Sequence, residues 1–271
     1  MQCDTHLETE LRNQLDWVTS RRWFGDKARP VLDVKVVVCD RVQTGPKSLL
    51  LVIARFSFEW GPDATYFIPL LDGDAPLAER EATTDPHVLQ WLVEGFSEKR
   101  EIQGHGIWRW RLIGDEFPDL AGLDYRSARP ISGEQSNTSV IFDGRFMGKI
   151  FRKIPSGTNP DLEIGEHMMR LGTFNHVPAL YGVIDCEVHG ERIDIAAMQE
   201  FVPNVGYGWS WLLAAMQSGV DRNELLAAIR LLGTRTGEMH IALAESMGDA
   251  AFAPVTIGED DAQTIIRRVI A

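Results

Sequence analysis

The sequence predicts an α+β chain built in three stretches, and three observations carry that reading. Leu7, Leu11, Leu15 and Val18 recur at helical spacing near the start, one face of an amphipathic helix. From Val31 to Phe201, runs rich in β-branched and aromatic residues alternate with turn signals. After Pro203 the strand pattern gives way to helical segments.

Taken in order, the first helix is followed by strands over Val31 to Val38, Leu49 to Phe58 and Ala64 to Leu70, the first two separated by Thr44-Gly45-Pro46. This is a helix followed by a small antiparallel meander. The acidic, small-residue stretch from Asp72 to Pro86 marks a boundary, so residues 1–85 form a first domain. A short helix over His87 to Gly95 leads to Ile107-Trp108-Arg109-Trp110-Arg111-Leu112, a half-exposed strand whose arginines read as a solvated face. From Arg129 onward come strand, loop, strand, turn and strand, with Asp143-Gly144 as the hairpin signal. A helix begins after Pro160, runs to Leu171 and stops at Gly172, where proline suits the first turn and Asp161 and Glu163 complement the helix dipole. Strands over Ala179 to Val188 and Arg192 to Phe201 complete a five-stranded sheet in a domain spanning 86–203, and residues 204–271 are helical.

A net charge of −12 and no concentrated basic surface argue against nucleic acid or an anionic membrane as partner. The N-terminus has no signal-peptide pattern, and no stretch reaches transmembrane length. Cys3, Cys39 and Cys186 are widely spaced, which fits reduced thiols in a cytoplasmic protein better than a disulfide framework.

The chemistry concentrates in Gly133-Glu134-Gln135-Ser136-Asn137-Thr138-Ser139-Val140, followed by Lys149 and Asn159-Pro160-Asp161-Leu162-Glu163. Ser136, Asn137, Thr138 and Ser139 offer hydroxyl and amide donors between two strands, either an anion cradle or an ordinary polar hairpin. Lys149 interrupts the apolar strand Phe146 to Phe151, and Glu163 on the next helix is a carboxylate able to hold it. Kinase-type clefts place phosphate loop, strand lysine and helix glutamate in this order, with the order of elements found in a kinase N-lobe, so the expected ligand is ATP. Met198-Gln199-Glu200-Phe201 would then be the hinge, with Met198 behind the base. His240 lacks HExxH spacing and reads as core or interface packing, and Glu259-Asp260-Asp261 reads as a helix cap rather than a metal site.

Arg22-Trp23-Phe24-Gly25-Asp26-Lys27-Ala28-Arg29, Glu134 to Val140, Asn159 to Glu163 and Gln199-Glu200-Phe201-Val202-Pro203 together resemble the actinobacterial maltokinase family, including the maltokinase part of trehalose synthase fusions. That resemblance implies a protein-kinase-like N-lobe of the aminoglycoside phosphotransferase type, preceded by a cystatin-like cap. It implies an enzyme that uses ATP and Mg2+ to phosphorylate maltose at its anomeric carbon, feeding α-glucan synthesis, with Lys149 orienting phosphates, Glu163 holding Lys149, and Gln199 and Phe201 lining the adenine pocket. Glucosamine is the rival acceptor. The family's His-Gly-Asp loop and the metal ligands that follow it have no counterpart here, so the C-lobe is expected to be incomplete and this chain catalytically silent alone. A non-catalytic alternative is a module that binds nucleotide or docks on a partner such as trehalose synthase, through a stripe including Trp23, Phe24, Trp108 or Trp110, although most of these rings read as core. The apolar stripe of the long C-terminal helix is expected to drive association.

Overall fold

The computed structural model describes residues 2–114, 117–120, 122–131, 136–155 and 157–270. Two compact units emerge, one from Met1–Glu166 with Pro178–Asn204, the other from His167–Val177 with Val205–Ala271.

The first unit opens with helices α1 (Gln2–Asn13) and α2 (Leu15–Ser20). Strands β1 (Val31–Thr44), β2 (Lys47–Phe58), β3 (Ala64–Phe67) and β4 (Leu70–Leu71) follow, then helices α3 (Leu77–Arg80) and α4 (Pro86–Glu98). Next come β5 (Glu101–Gln103), β6 (Ile107–Leu112), β7 (Arg129–Pro130), β8 (Asn137–Phe142), β9 (Phe146–Phe151) and β10 (Lys153–Ile154). Helix α5 (Pro160–Leu171) contributes residues to both units, and β11 (Leu180–Val188) and β12 (Glu191–Glu200) return to the first.

Two antiparallel sheets form. The first runs β1-β2-β3-β10, with β4 also paired to β2, so a strand from beyond residue 150 completes the N-terminal meander. The second has seven strands in the order β5-β6-β11-β12-β9-β8-β7. The sequence suggested five. The two additional strands, β5 and β6, extend the sheet because β6 pairs with β11 along its whole length and turns Trp108 and Trp110 into the core.

Burial explains why β2 reads as a continuous apolar run. Leu49, Leu51 and Ile53 face α4 and the second sheet, sharing a core with Val88, Val93, Trp108, Ile184 and Met198. Leu50, Val52, Ala54 and Phe56 face the other way, packing with Leu7, Leu11, Val18 and Phe24. A strand covered on both faces loses the alternation of a half-exposed one. Across the second sheet the pattern repeats: Phe151, Val183 and Ala197 face Leu162 of α5.

Buried polar groups pin these layers together. Asp26 accepts from Tyr66 Oη at 2.5 Å, Arg29 Nη2 at 2.6 Å and Lys153 Nζ at 2.9 Å, tying the Trp23-Phe24-Gly25-Asp26 segment to β3 and β10. Burial opposes its charge, but bonds from Lys153, Tyr66 and Arg29 overcome this and hold its carboxyl below the usual range. Asp40 accepts from Trp108 Nε1 at 2.8 Å and from the amides of His105 and Gly106 at 2.7 and 3.0 Å, fastening the β5–β6 turn to β1. Gly104 has to be glycine there, since a Cβ would lie 2.3 Å from Asp40 Oδ1. The arginines of β6 are not simply solvated: Arg111 donates to the buried Asp185 at 2.6 Å and Arg109 to Glu187 at 2.8 Å.

The thiol expectation fails at Cys39, which is disulfide-bonded, while Cys186 is a free, buried thiol. Burial and the neighbouring Asp40 and Asp185 charges push the Cys186 pKa up. Trp23, Phe24, Trp108 and Trp110 are all buried, which leaves them no part in a docking stripe and agrees with the reading of these rings as core.

The second unit contains α6 (Gly208–Ser218), α7 (Arg222–Leu243) and α8 (Glu259–Ile270). Asp221 caps α7 by accepting from the amides of Asn223 and Glu224, and Asp261 accepts from Gly258 N at 3.0 Å at the start of α8. Its core is small, joining Met168, Phe174 and Ala242, while His167 stacks on Phe252 with ring centroids 3.6 Å apart. Trp209, Met216, Leu232, Ile241 and Val269 are exposed. His240 is exposed too, which removes the core half of the core-or-interface expectation, since it lies off the α7 face that carries Met239, Ala242 and Leu243 inward. No helix among the described residues is long and apolar enough to cross a membrane.

Candidate nucleotide-binding face

Strand register decides which side chains can meet. In the β8–β9 pair Ser139 lies opposite Lys149, and in the β9–β12 pair Lys149 lies opposite Ala197. One step along, Ile141, Met147 and Gln199 form a second row on the same face, because side chains two apart share a side of the sheet. The first row supplies a hydroxyl and an ammonium. The second supplies an apolar platform flanked by a carboxamide.

The opposite face is fully occupied. Val140, Phe142, Ile150 and Met198 turn toward α4, where Leu89, Val93 and Phe96 enclose a small apolar cavity of about 30 Å³. Met198, expected behind an adenine, belongs to this core and is 1% exposed. Ile141 and Met147 face the side on which Met198 was expected, and the alternation of the strand was the signal that could have found them.

Helix α5 covers the Lys149 face, and its start is built from local chemistry. The Asn159 carbonyl accepts from Leu162 and Glu163 N at 3.0 Å each, and its side-chain Oδ1 accepts from Asp161 N at 3.0 Å. Asn159 is thus an N-cap with Pro160 at the first helical position. Its own amide donates to the buried carboxylate of Asp194 at 3.1 Å, which moors the helix to β12.

Lys149 is held from this helix, and its partner is Asp161. The ammonium lies 2.5 Å from Asp161 Oδ2, with Lys149 largely covered and Asp161 more than half exposed. Successive helical residues are about 100° apart, so Asp161 and Glu163 flank Leu162 on opposite sides. Leu162 packs into the sheet, which leaves Asp161 on the Lys149 flank and Glu163 about 200° round the axis.

The remaining sequence candidates divide. Asn137 shares the Ser139 face by alternation, and Ser136 is exposed just before β8. Thr138 points to the other face, where its Oγ1 accepts from Arg152 Nη1 at 3.2 Å. Gly133, Glu134 and Gln135 lie outside the described residues. Phe201 is half-buried beyond β12, and its amide donates to the Arg145 carbonyl at 2.9 Å.

The mixed α/β architecture, with its two antiparallel sheets, resembles that of a sugar kinase. Solved structures bear on this. The chain is similar to glucosamine kinase in crystal form B, at 17% identity over 81% of this chain and 48% of that one, with a TM-score of 0.54. It is also similar to glucosamine kinase in complex with glucosamine, ADP and inorganic phosphate, at 18% identity over 82% and 49% of the two chains, with a TM-score of 0.52. The chain spans about half the length of these structures, and the likeness establishes the fold. No protein-family model matches.

Proposed function

We propose that the face carrying Ser139, Lys149 and Gln199 is the nucleotide-binding half of an ATP-dependent sugar kinase. The observation that carries this reading is the placement of Lys149 on a central strand, opposite Ser139 and held by a carboxylate of α5. In phosphoryl transfer a lysine in that position orients phosphate oxygens, and the carboxylate keeps it extended. Ile141 and Met147 offer the base an apolar surface, and Gln199 offers it a donor and an acceptor.

ATP fits these residues, since a cation, a hydroxyl and an apolar row are what a nucleotide requires of one wall. Bound ATP supplies the transferable phosphoryl group; Lys149 would hold it in place. Mg2+ in such sites is held by one or two carboxylates together with the substrate phosphates. Its ligands, and a base for the acceptor hydroxyl, are proposed to lie in a helical lobe like that of a complete kinase.

For the acceptor we propose maltose, on the motif resemblance of the Arg22 to Arg29, Glu134 to Val140, Asn159 to Glu163 and Gln199 to Pro203 segments, with glucosamine as the second reading because the similar solved structures are glucosamine kinases. Titration calorimetry with ADP tests the first half. Lys149→Ala should weaken binding by at least about tenfold, as expected for losing a hydrogen bond to a charged group, and unchanged affinity would refute the assignment. ADP release from ATP with maltose against glucosamine, measured on a chain that includes a full helical lobe, separates the acceptors.

A further inference from the structure

On the far side of β8 and β9, a second set of polar groups is left without partners. Among the described residues of this region, four buried nitrogen atoms have no hydrogen-bond acceptor: Trp17 Nε1, Arg21 Nε, Trp23 Nε1 and Arg152 Nη2. They belong to one neighbourhood. The Arg152 guanidinium stacks 4.1 Å from the Trp23 ring centre, the Trp17 and Trp23 rings lie 6.4 Å apart, and the Arg21 guanidinium is 5.3 Å from the Trp17 ring. All four groups are N–H donors.

The charges nearby are unbalanced in the same sense. Arg152 is wholly buried, and its other nitrogens are engaged by the Phe67 carbonyl at 3.0 Å, Glu81 Oε1 at 2.7 Å and Thr138 Oγ1 at 3.2 Å. Glu81 is thus committed to Arg152, and Asp26 is committed to Tyr66, Arg29 and Lys153. Among the described residues, these two carboxylates therefore serve Arg29, Arg152 and Lys153, with Arg21 as a further positive charge beside Arg152. Burial, and the like charge of Arg21, lower the Arg152 pKa despite Glu81. A buried donor without an acceptor is costly, and four together with surplus positive charge call for a group that only accepts. Water answers this poorly, since each molecule brings two hydrogens that need acceptors of their own.

We propose that Arg21, Arg152, Trp17 and Trp23 form a binding site for a compact inorganic anion, of the phosphate or halide class, between the N-terminal segment and the end of β9. Arg21 and Trp17 are half-buried as residues, so the site lies nearest to solvent on their side, while the donor atoms themselves are buried. The site is independent of the nucleotide face, because Thr138 and Lys149 lie on opposite sides of the sheet.

The test is thermal stability of the intact chain in inorganic phosphate at fixed ionic strength, with Lys149→Ala included to remove phosphate binding on the other face. The melting temperature should rise with phosphate in both proteins. Trp17→Phe and Arg21→Ala, which keep the ring or alter only a half-buried side chain, should each raise the phosphate concentration needed by about tenfold. Crystals soaked in bromide should show an anomalous peak within hydrogen-bond distance of Arg152 Nη2. Stabilisation that disappears with Lys149→Ala, stabilisation indifferent to Trp17→Phe and Arg21→Ala, or crystals with only water at Arg152 would each overturn the proposal.

Discussion

The ammonium of Lys149 lies 2.5 Å from Asp161 Oδ2, so the strand lysine is held by the second residue of α5 rather than by Glu163 two positions on. Both carboxylates belong to the same helix turn. Leu162, buried between them against Phe151 and Ala197, decides which one reaches the strand.

The first prediction follows directly. Asp161→Asn should weaken ADP binding by a few fold, since a partly exposed ion pair contributes at most about 1 kcal/mol. Glu163→Gln should leave affinity within about twofold of the parent. Titration calorimetry on the two variants is sufficient, and the reverse ranking would assign the holding role to Glu163.

A second prediction concerns Asp26. Its folded pKa is depressed, so its contribution to stability is present above the unfolded value, about 3.9, and is lost as pH falls through the lower folded value. Denaturant titrations should show stability falling below about pH 4 in the parent chain. Asp26→Asn should cost about 3 to 5 kcal/mol at neutral pH, because it leaves Lys153 and Arg29 without their shared partner. It should also flatten the acid limb. A loss under 1 kcal/mol at pH 7 would show that the cluster is solvated.

Much of this was legible in the residues, and what was not has a local cause. The double burial of β2 is written in its uninterrupted Leu-Leu-Leu-Val-Ile-Ala run, and the start of α5 in Asn-Pro-Asp. Asp143-Gly144 marks the hairpin before Lys149 but not its length. The loop takes three residues, pairing Phe142 with Phe146, and that puts Ser139 opposite Lys149. A two-residue loop would have set Thr138 there instead, so one residue of loop decides which hydroxyl shares the lysine's face. Beyond its local pair with Arg29, the role of Asp26 is hidden from its own segment, because its partners Tyr66 and Lys153 are 40 and 127 residues away. Choosing Asp161 over Glu163 needs the inward position of Leu162, which motif spacing alone does not give.

A third prediction concerns the second unit. Trp209, Met216, Leu232 and Val269 are exposed on helices whose own core is small. Apolar surface of this extent drives association. Light scattering should detect concentration-dependent assembly in the micromolar range, and Leu232→Glu should reduce it without lowering the melting temperature. A monomer at all concentrations would remove the apolar surface as a cause of association.

The central claim is that ADP docks on the Ser139–Lys149 face. Amide chemical-shift mapping on the isotope-labelled chain tests it most directly. On adding ADP, the amides of Ser139, Ile141, Met147, Lys149 and Gln199 should shift together while those of Val88 and Val93, on α4 across the sheet, stay in place. Saturating ADP that leaves all five unmoved would contradict the account.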